Sequence, residues 1–246
     1  MNTLKLKLLA ASMFACSTAF AQGGGMTNPP PTTRTPTSNA NAFTAQPVGT
    51  RQGTYATDSY ILQNGTSQYA SQTQDGFYNT ADIYQNYSNA AGRGNNNATQ
   101  LQSNDGRDGA GARNRAYISQ AGSGSNADQR QIGTGSVASI QQGAGTHNNA
   151  TQSQNGMNNS ADITQGGSNS NAIQFQLGSD ETARITQGSA SGNYAEQRQF
   201  GGNGNQATTT QSAYYGTFNY TEQNGANNRA VVNQVYDRAA QVSRIQ

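Results

Sequence analysis

A glutamine recurs at nearly constant intervals from residue 63 to residue 246, and this spacing constrains the fold more than any other feature. Most steps between these glutamines are 11 or 12 residues long, whereas the steps that lead to Gln102 and Gln120 are 17 and 18 residues long. The series consists of Gln63, Gln74, Gln85, Gln102, Gln120, Gln131, Gln142, Gln154, Gln165, Gln176, Gln187, Gln199, Gln211, Gln223, Gln234 and Gln246. A fixed period of this kind predicts a stack of structural repeats.

Three more columns accompany the glutamines. Two residues before them, isoleucine and glutamine alternate without an error at Ile61, Gln72, Ile83, Gln100, Ile118, Gln129, Ile140, Gln152, Ile163, Gln174, Ile185 and Gln197. Alanine usually stands four residues before each glutamine, and asparagine or serine six residues before it. Fixed side chains at every second position lie on one face of an extended strand. The unit Asn-x-Ala-x-Ile/Gln-x-Gln therefore predicts a strand whose regular columns point inward.

The alternation of isoleucine and glutamine doubles the period to about 22 residues, so the structural unit is a pair of strands. Glycine often follows the ladder glutamine by two residues, where a tight reversal needs it. We expect an all-β fold over residues 57–246, namely a β-solenoid of eight two-strand coils with two facing parallel sheets. Isoleucine packs the core, alanine gives clearance, and the glutamines form inward amide ladders. Open ends would let coils stack end to end into a cross-β fibre.

The first part of the chain has a different composition. Residues 1–21 combine Lys5 and Lys7 with an apolar run and a terminal Ala-Phe-Ala, which predicts a cleaved signal peptide. Lipid attachment at Cys16 is the weaker alternative, because the preceding residues fit such a site poorly. Residues 22–56 are rich in glycine, proline and threonine, which predicts a disordered segment. All five prolines lie in this segment, as expected if the remainder forms hydrogen-bonded strands.

The composition argues against catalysis and against specific nucleic-acid binding. Once residues 1–21 are removed, the chain has no lysine and no cysteine, and twelve arginines balance twelve acidic residues. His147 is the single histidine and falls between strands, with no nucleophile beside it. Carboxylates occupy outward positions or arcs, with Glu181 as the exception in an inward column. The sequence therefore predicts no enzyme, no cofactor, no metal site and no insertion into a membrane.

The repeat resembles the curlin repeat of bacterial curli fibre subunits. The segments at 114–122 (Asn-Arg-Ala-Tyr-Ile-Ser-Gln-Ala-Gly) and 159–167 (Asn-Ser-Ala-Asp-Ile-Thr-Gln-Gly-Gly) carry the resemblance, since four columns agree at once. It implies a functional amyloid subunit that is secreted through an outer-membrane channel with periplasmic accessory factors. Such a subunit polymerises with itself at the cell surface into adhesive biofilm fibres, together with a second curlin-type subunit. Residues 22–56 are similar to the family's secretion-targeting region.

The resemblance leaves two roles open, a major fibre subunit and a minor nucleating subunit. The uniform repeats favour the major role. The final repeats drift, however, with Thr209, Thr221, Val232 and Arg244 in the Ile/Gln column and with Asn219 and Val242 in the alanine column. An inward Arg244 would resemble the irregular last repeat of the minor subunit.

A solenoid that does not polymerise could also carry such repeats. An ice-binding protein would need a flat outward Thr-x-Thr array, and one outward pair, Thr208 and Thr210, fits. A monomeric adhesin would need capped ends. The inserted loops at 86–94 and 103–113 interrupt the early coils, and Asp105 and Asp108 in the second loop do not match a known calcium-binding spacing. We interpret these loops as solvated and as candidate gatekeepers against aggregation.

Overall fold

The computed structural model describes residues 58–64, 68–76, 78–86, 95–104, 113–212, 216–235 and 240–245. The predicted signal peptide, the segment 22–56, Gln246 and most of the two inserted loops lie outside the described residues.

Sixteen β-strands make up the regular structure of these ranges, and no helix occurs within them. Most strands are short because the inward columns span about six residues between arcs. Their bounds are β1 (Asp58–Asn64), β2 (Tyr69–Asp75), β3 (Thr80–Asn86), β4 (Asn97–Ser103), β5 (Arg115–Gln120), β6 (Asn126–Thr134), β7 (Val137–Gln142), β8 (Asn149–Met157), β9 (Ser160–Gln165), β10 (Asn171–Ser179), β11 (Thr182–Gln187), β12 (Tyr194–Asn203), β13 (Gln206–Gln211), β14 (Phe218–Asn224), β15 (Arg229–Gln234) and β16 (Ala240–Ile245).

The strands form two parallel sheets of eight. The odd-numbered strands follow one another in the order β1 to β15 in the sheet that carries the isoleucines, here called the Ile sheet. The even-numbered strands form the second sheet, here called the Gln sheet, in the order β16 to β2. Each odd strand and the even strand after it make one coil, numbered 1 to 8 along the chain. The predicted β-solenoid with two parallel sheets is thus confirmed.

The core is a thin layer in which a large side chain of one sheet meets a small side chain of the other. Ile118 of β5 and Ala127 of β6 belong to one buried cluster, as do Ile140 of β7 and Ala150 of β8. Facing strands of a coil run in opposite directions, so the fourth position of one strand lies across from the second position of the other. Alanine therefore makes room for isoleucine, and the isoleucines of the inward column are fully buried from Ile83 to Ile185.

Most of the described arcs hold one residue in the left-handed backbone region just before the Asn/Ser position. This residue is glycine in several coils, but His147, Asn158 and Asp180 also have φ of 56°. Asparagine, aspartate and histidine are the non-glycine residues that tolerate this conformation best. The sole histidine is an exposed member of this arc position.

A second arc position requires glycine because adjacent coils approach closely there. A Cβ atom added to Gly133 would lie 2.0 Å from the carbonyl oxygen of Gly156, and one added to Gly156 would lie 1.8 Å from that of Gly178. Both Gly133 and Gly156 also have positive φ. The glycine predicted two residues after the ladder glutamine is therefore needed for backbone approach as well as for the turn.

The residues of the later coils that depart from the repeat pattern still point inward as far as β15. Thr209, Thr221, Val232 and Asn219 are all buried. Thr209 Oγ1 accepts a hydrogen bond at 2.9 Å from Nε2 of Gln197, which lies in the facing sheet.

The last strand differs from the expected pattern, because its register is displaced by one residue. Ile245 is the residue opposite Gln223, and Arg244 is opposite Glu222 on the outer side, where it is exposed. The prediction of an inward Arg244, with Val242 in the alanine column, is wrong. A one-residue slip moves a whole strand to the other face, and it spares the buried side the cost of an unpaired guanidinium.

Removal of one core isoleucine tests this packing. Ile140→Ala should lower the free energy of unfolding by about 2–5 kcal/mol, because the cavity faces Ala150 and cannot collapse further. Val137→Ala in the same strand is the control; Val137 is 44% exposed, and its truncation should change stability by about 0.5 kcal/mol or less. Urea denaturation of dilute monomer gives both values. Equal losses in the two variants would contradict the described core.

Candidate functional site

Three ladders of glutamine amides run through the solenoid from coil to coil. In the Ile sheet the bond from Gln63 Nε2 to Gln85 Oε1 is 2.7 Å long, and the bond from Gln211 Nε2 to Gln234 Oε1 is 2.8 Å long. Between them the same bond links Gln85, Gln120, Gln142, Gln165, Gln187 and Gln211. The side chains from Gln85 to Gln234 are buried.

The Gln sheet carries the other two ladders. One joins Gln74, Gln102, Gln131, Gln154, Gln176, Gln199 and Gln223. The second joins Gln72, Gln100, Gln129, Gln152, Gln174 and Gln197, with bonds of 2.8 to 3.2 Å. Gln246, which the sequence placed last in the inward set, lies outside the described residues.

The same amides also hold the two sheets together. Gln152 Nε2 donates to the carbonyl oxygen of Ser139 at 2.7 Å, and Gln131 Nε2 donates to that of Arg115 at 2.9 Å. Each of these carbonyls belongs to the opposite sheet. A primary amide has two donor hydrogens and an acceptor oxygen, so one glutamine can bond the coil before it, the coil after it and the facing sheet. These bonds satisfy the buried amides and carbonyls, so the interior can consist largely of polar side chains with only a narrow apolar layer.

All three ladders have one direction. Each of these bonds between glutamines runs from Nε2 of the lower-numbered residue to Oε1 of the higher-numbered one, as from Gln129 to Gln152 and from Gln142 to Gln165. Aligned amide dipoles strengthen one another in a low-dielectric interior. The ladders therefore give the solenoid a direction, with amide oxygens directed toward coil 1 and amide nitrogens toward coil 8. The Ile-sheet ladder reaches Gln234 in coil 8, whereas the Gln-sheet ladders end at Gln223 in coil 7 and at Gln197 in coil 6.

The Asn/Ser column supplies a further link at the arcs. Asn148 Nδ2 donates to the carbonyl oxygen of Gly167 at 2.6 Å, while its Oδ1 accepts from the backbone N–H of Ser170 at 3.0 Å. Asn114 makes the equivalent bonds to Gly133 and Ser136. The asparagines thus fasten each arc to the next coil.

Glu181 is the exception in this column. Its side chain is fully buried; Oε1 accepts a hydrogen bond from Asn205 Nδ2 at 3.3 Å, and Oε2 has no hydrogen-bond partner among the described residues. Burial is the largest cause that raises the pKa of this carboxyl from 4.5 to about 7.

A charged network covers the outer face of the Gln sheet near its C-terminal end. Glu196, which is 7% exposed, accepts hydrogen bonds from Tyr194 Oη at 2.6 Å and from Arg198 Nε at 2.5 Å. The next strand repeats the motif with Tyr220 donating to Glu222. Burial, with the bond to Glu196, raises the pKa of Tyr194 to about 12, so the phenol stays protonated as a donor. These contacts lie in coils 6 and 7, and the inward columns drift in coils 7 and 8.

Within the described residues, both ends of the solenoid present strand edges that pair with no further strand. Strands β1 and β15 bound the Ile sheet, and β2 and β16 bound the Gln sheet. The backbone N–H of Gln206 donates to the carbonyl of Asn228, and bonding direction alternates along a parallel strand. By this alternation Val231, in the middle of β15, directs its N–H and C=O toward the open end. Such an edge is a template for another strand.

The described residues offer little for chemistry on a small molecule. They contain no group of three or more His, Cys, Asp or Glu side chains that could hold a metal ion. A surface groove of about 430 Å³ runs along the outer face of the Gln sheet, lined mainly by asparagine and threonine with Asp128. In the described part of the chain, no helix has the length and apolar character needed to cross a membrane.

The family model described as the curlin-associated repeat matches residues 156–188. The matched stretch begins in the last residues of β8 and extends just past β11, so it contains strands β9, β10 and β11 and the arcs between them. Curlin repeats and β-solenoids are structural in character. No curated protein and no solved structure matches the chain.

Removal of one amide from a ladder tests how much the ladder contributes to the free energy of unfolding. Gln152→Leu keeps the approximate volume but leaves the amides of Gln129 and Gln174 and the carbonyl of Ser139 without their partner, at about 1–3 kcal/mol for each group that stays unsatisfied. We expect a loss of several kcal/mol in the free energy of unfolding. Exposed Gln141→Leu is the control and should leave the urea midpoint nearly unchanged. A Gln152→Leu variant as stable as this control would show that the ladder does not stabilise the fold.

Proposed function

We propose that the chain is a secreted structural subunit that assembles with copies of itself into curli-type extracellular fibres, which serve adhesion, cell aggregation and the biofilm matrix. The observation that carries the proposal is that the two sheets run from coil 1 to coil 8, with the Ile-sheet ladder from Gln63 to Gln234 between them, and end at strand edges that no other described residue covers. The match to the curlin-associated repeat supports it, because curlin proteins build such fibres.

The polarity of the ladders favours head-to-tail stacking. In that arrangement coil 8 of one copy meets coil 1 of the next, and Gln63 stands next in line after Gln234. Head-to-head stacking would bring two acceptor ends or two donor ends together. A heterologous contact that repeats without closing generates an open filament.

We assign the major subunit role to the chain in preference to the minor nucleating role. Fifteen of the sixteen strands keep the inward columns in register, and the inward arginine that resembled the minor subunit does not occur, since Arg244 is exposed. Drift in coils 7 and 8 is accommodated by buried threonine and valine. The minor role remains the alternative, with a second curlin-type subunit as partner in either case.

The N-terminal regions complete the proposed pathway. Residues 1–21 direct export, and residues 22–56 present the chain to an outer-membrane channel and its accessory factors. The chain 57–246 then folds outside the cell as it joins a fibre end.

Proline at the open edge tests the docking surface. Val231→Pro removes an N–H that points out of the solenoid while leaving the bonds between β13 and β15 intact, so the monomer should fold but not accept another copy. We expect the fibre elongation rate of the purified chain without its predicted signal peptide (residues 22–246) to fall at least tenfold. Small amounts of the variant should also stop wild-type fibres, because its coil 1 can still dock. Val231→Thr keeps the N–H and serves as the control.

Elongation of Val231→Pro at the wild-type rate would rule out this edge as the docking surface. Loss of elongation together with loss of folded monomer, measured by circular dichroism, would instead show that β15 does not tolerate proline. Small amounts of the variant added to growing wild-type fibres distinguish a blocked edge from an unfolded variant. Only a folded variant can dock on a fibre end and stop its growth.

A further inference from the structure

Glu181 replaces an amide at a place where the fold uses both an acceptor and a donor. In the coils on either side, Asn159 Nδ2 donates to the carbonyl oxygen of Gly178 at 3.0 Å, and Asn205 Nδ2 donates to that of Gly225 at 2.8 Å. The oxygen of Asn159 accepts from the backbone N–H of Glu181 itself at 3.0 Å. A carboxylate can only accept, whereas a neutral carboxyl can both donate and accept, as an amide can.

The surroundings of this carboxyl contain no compensating cation among the described residues. The adjacent coils contribute Asn159 and Asn205, and the end of β10 contributes Gly178 and a backbone hydrogen bond from Leu177. The Oε1 atom lies 2.7 Å from the place that a Cβ of Gly178 would take, so the carboxyl packs directly against the glycine backbone.

The charged residues nearest along the chain are directed elsewhere. Asp180 is exposed and accepts a hydrogen bond from Asn158 at 3.2 Å. Arg184 is exposed on the outer face and pairs with Asp162 at 3.4 Å. An ionised Glu181 would therefore be a buried charge with one unsatisfied oxygen, which is strongly unfavourable.

We propose that Glu181 is a proton-operated latch, which fastens the arc before β11 to the neighbouring coils when its carboxyl is neutral and loosens that arc when it is ionised. The latch acts within one chain and does not depend on polymerisation. If the chain also assembles as proposed above, coil 6 becomes the point at which the acidity of the medium controls folding of an incoming subunit.

The sign of the effect follows from the raised pKa. The carboxyl has a pKa of about 7 in the folded chain and an ordinary value of 4.5. Its favourable contribution is fully present below about pH 4.5 and is lost as pH rises through 7. A difference of this size corresponds to a fall on the order of 10²-fold in the folding equilibrium between pH 4.5 and pH 8.

Urea denaturation of the monomeric exported chain from pH 5 to pH 8 tests the latch. The wild type should lose stability toward pH 8, whereas Glu181→Asn, which restores the residue of the neighbouring coils, should be nearly independent of pH and more stable than the wild type at pH 8. Asp180→Asn, one residue away and exposed, should keep the wild-type pH dependence. Equal pH slopes for the wild type and Glu181→Asn would overturn the proposal.

A direct readout of the proton does not depend on the stability of the variants. The chain contains three glutamates, so ¹³C-labelled glutamate gives an infrared spectrum with few contributions. Folded wild type at pH 6 should show a neutral carboxyl band that disappears by pH 8 and is missing from Glu181→Gln. An ionised Glu181 at pH 6 in the folded chain would overturn the proposal as well.

Discussion

The hydrogen bond from a glutamine amide to the same residue of the next coil is the interaction on which the rest of the structure depends. It recurs along three ladders and lies in the interior, where an unpaired amide would be costly. Because a ladder needs identical residues at identical heights, it keeps the strands parallel and in register even across the two inserted loops. The isoleucines add hydrophobic packing, but the core is too thin for them to specify the fold alone.

Dependence on neighbours explains why the proposed assembly would take place at the ends of the solenoid. Each coil is completed by the coils before and after it, and the first and last coils lack one of the two. Because the buried hydrogen bonds of this chain join equal units, the proposed partner at each end is another copy of the same chain. The same logic makes the unit directional, because the ladder amide donors point toward coil 8.

Periodicity alone predicted the strands, the two sheets and the inward columns, since side chains that recur at every second position have only one face to share. It could not predict which columns meet across the core. The pairing of Ile140 with Ala150 depends on the reversal of the chain in the arc. The left-handed arc residue was missed although it could have been found, because Gly, Asn, Asp and His recur seven residues before the ladder glutamine.

The last strand and Glu181 are two places where the repeat pattern alone does not predict the structure. Extending the period to residue 246 placed Arg244 inside, but the shifted register of β16 puts it opposite Glu222 in solvent. At Glu181 the pattern identified an inward carboxylate without indicating its protonation, which depends on which side chains the adjacent coils place around it. Both cases depend on the free-energy cost of a buried charge, which the spacing of residues does not reveal.

X-ray fibre diffraction of purified residues 22–246 tests the central claim most directly. The protein is transferred out of denaturant, left to assemble without any partner, and aligned. Stacked coils predict a meridional reflection near ~4.7 Å from the strand spacing and an equatorial reflection near ~10 Å from the two facing sheets. A chain that remains a soluble monomer, or fibres that lack the meridional reflection, would contradict assembly by end-to-end stacking of the solenoid.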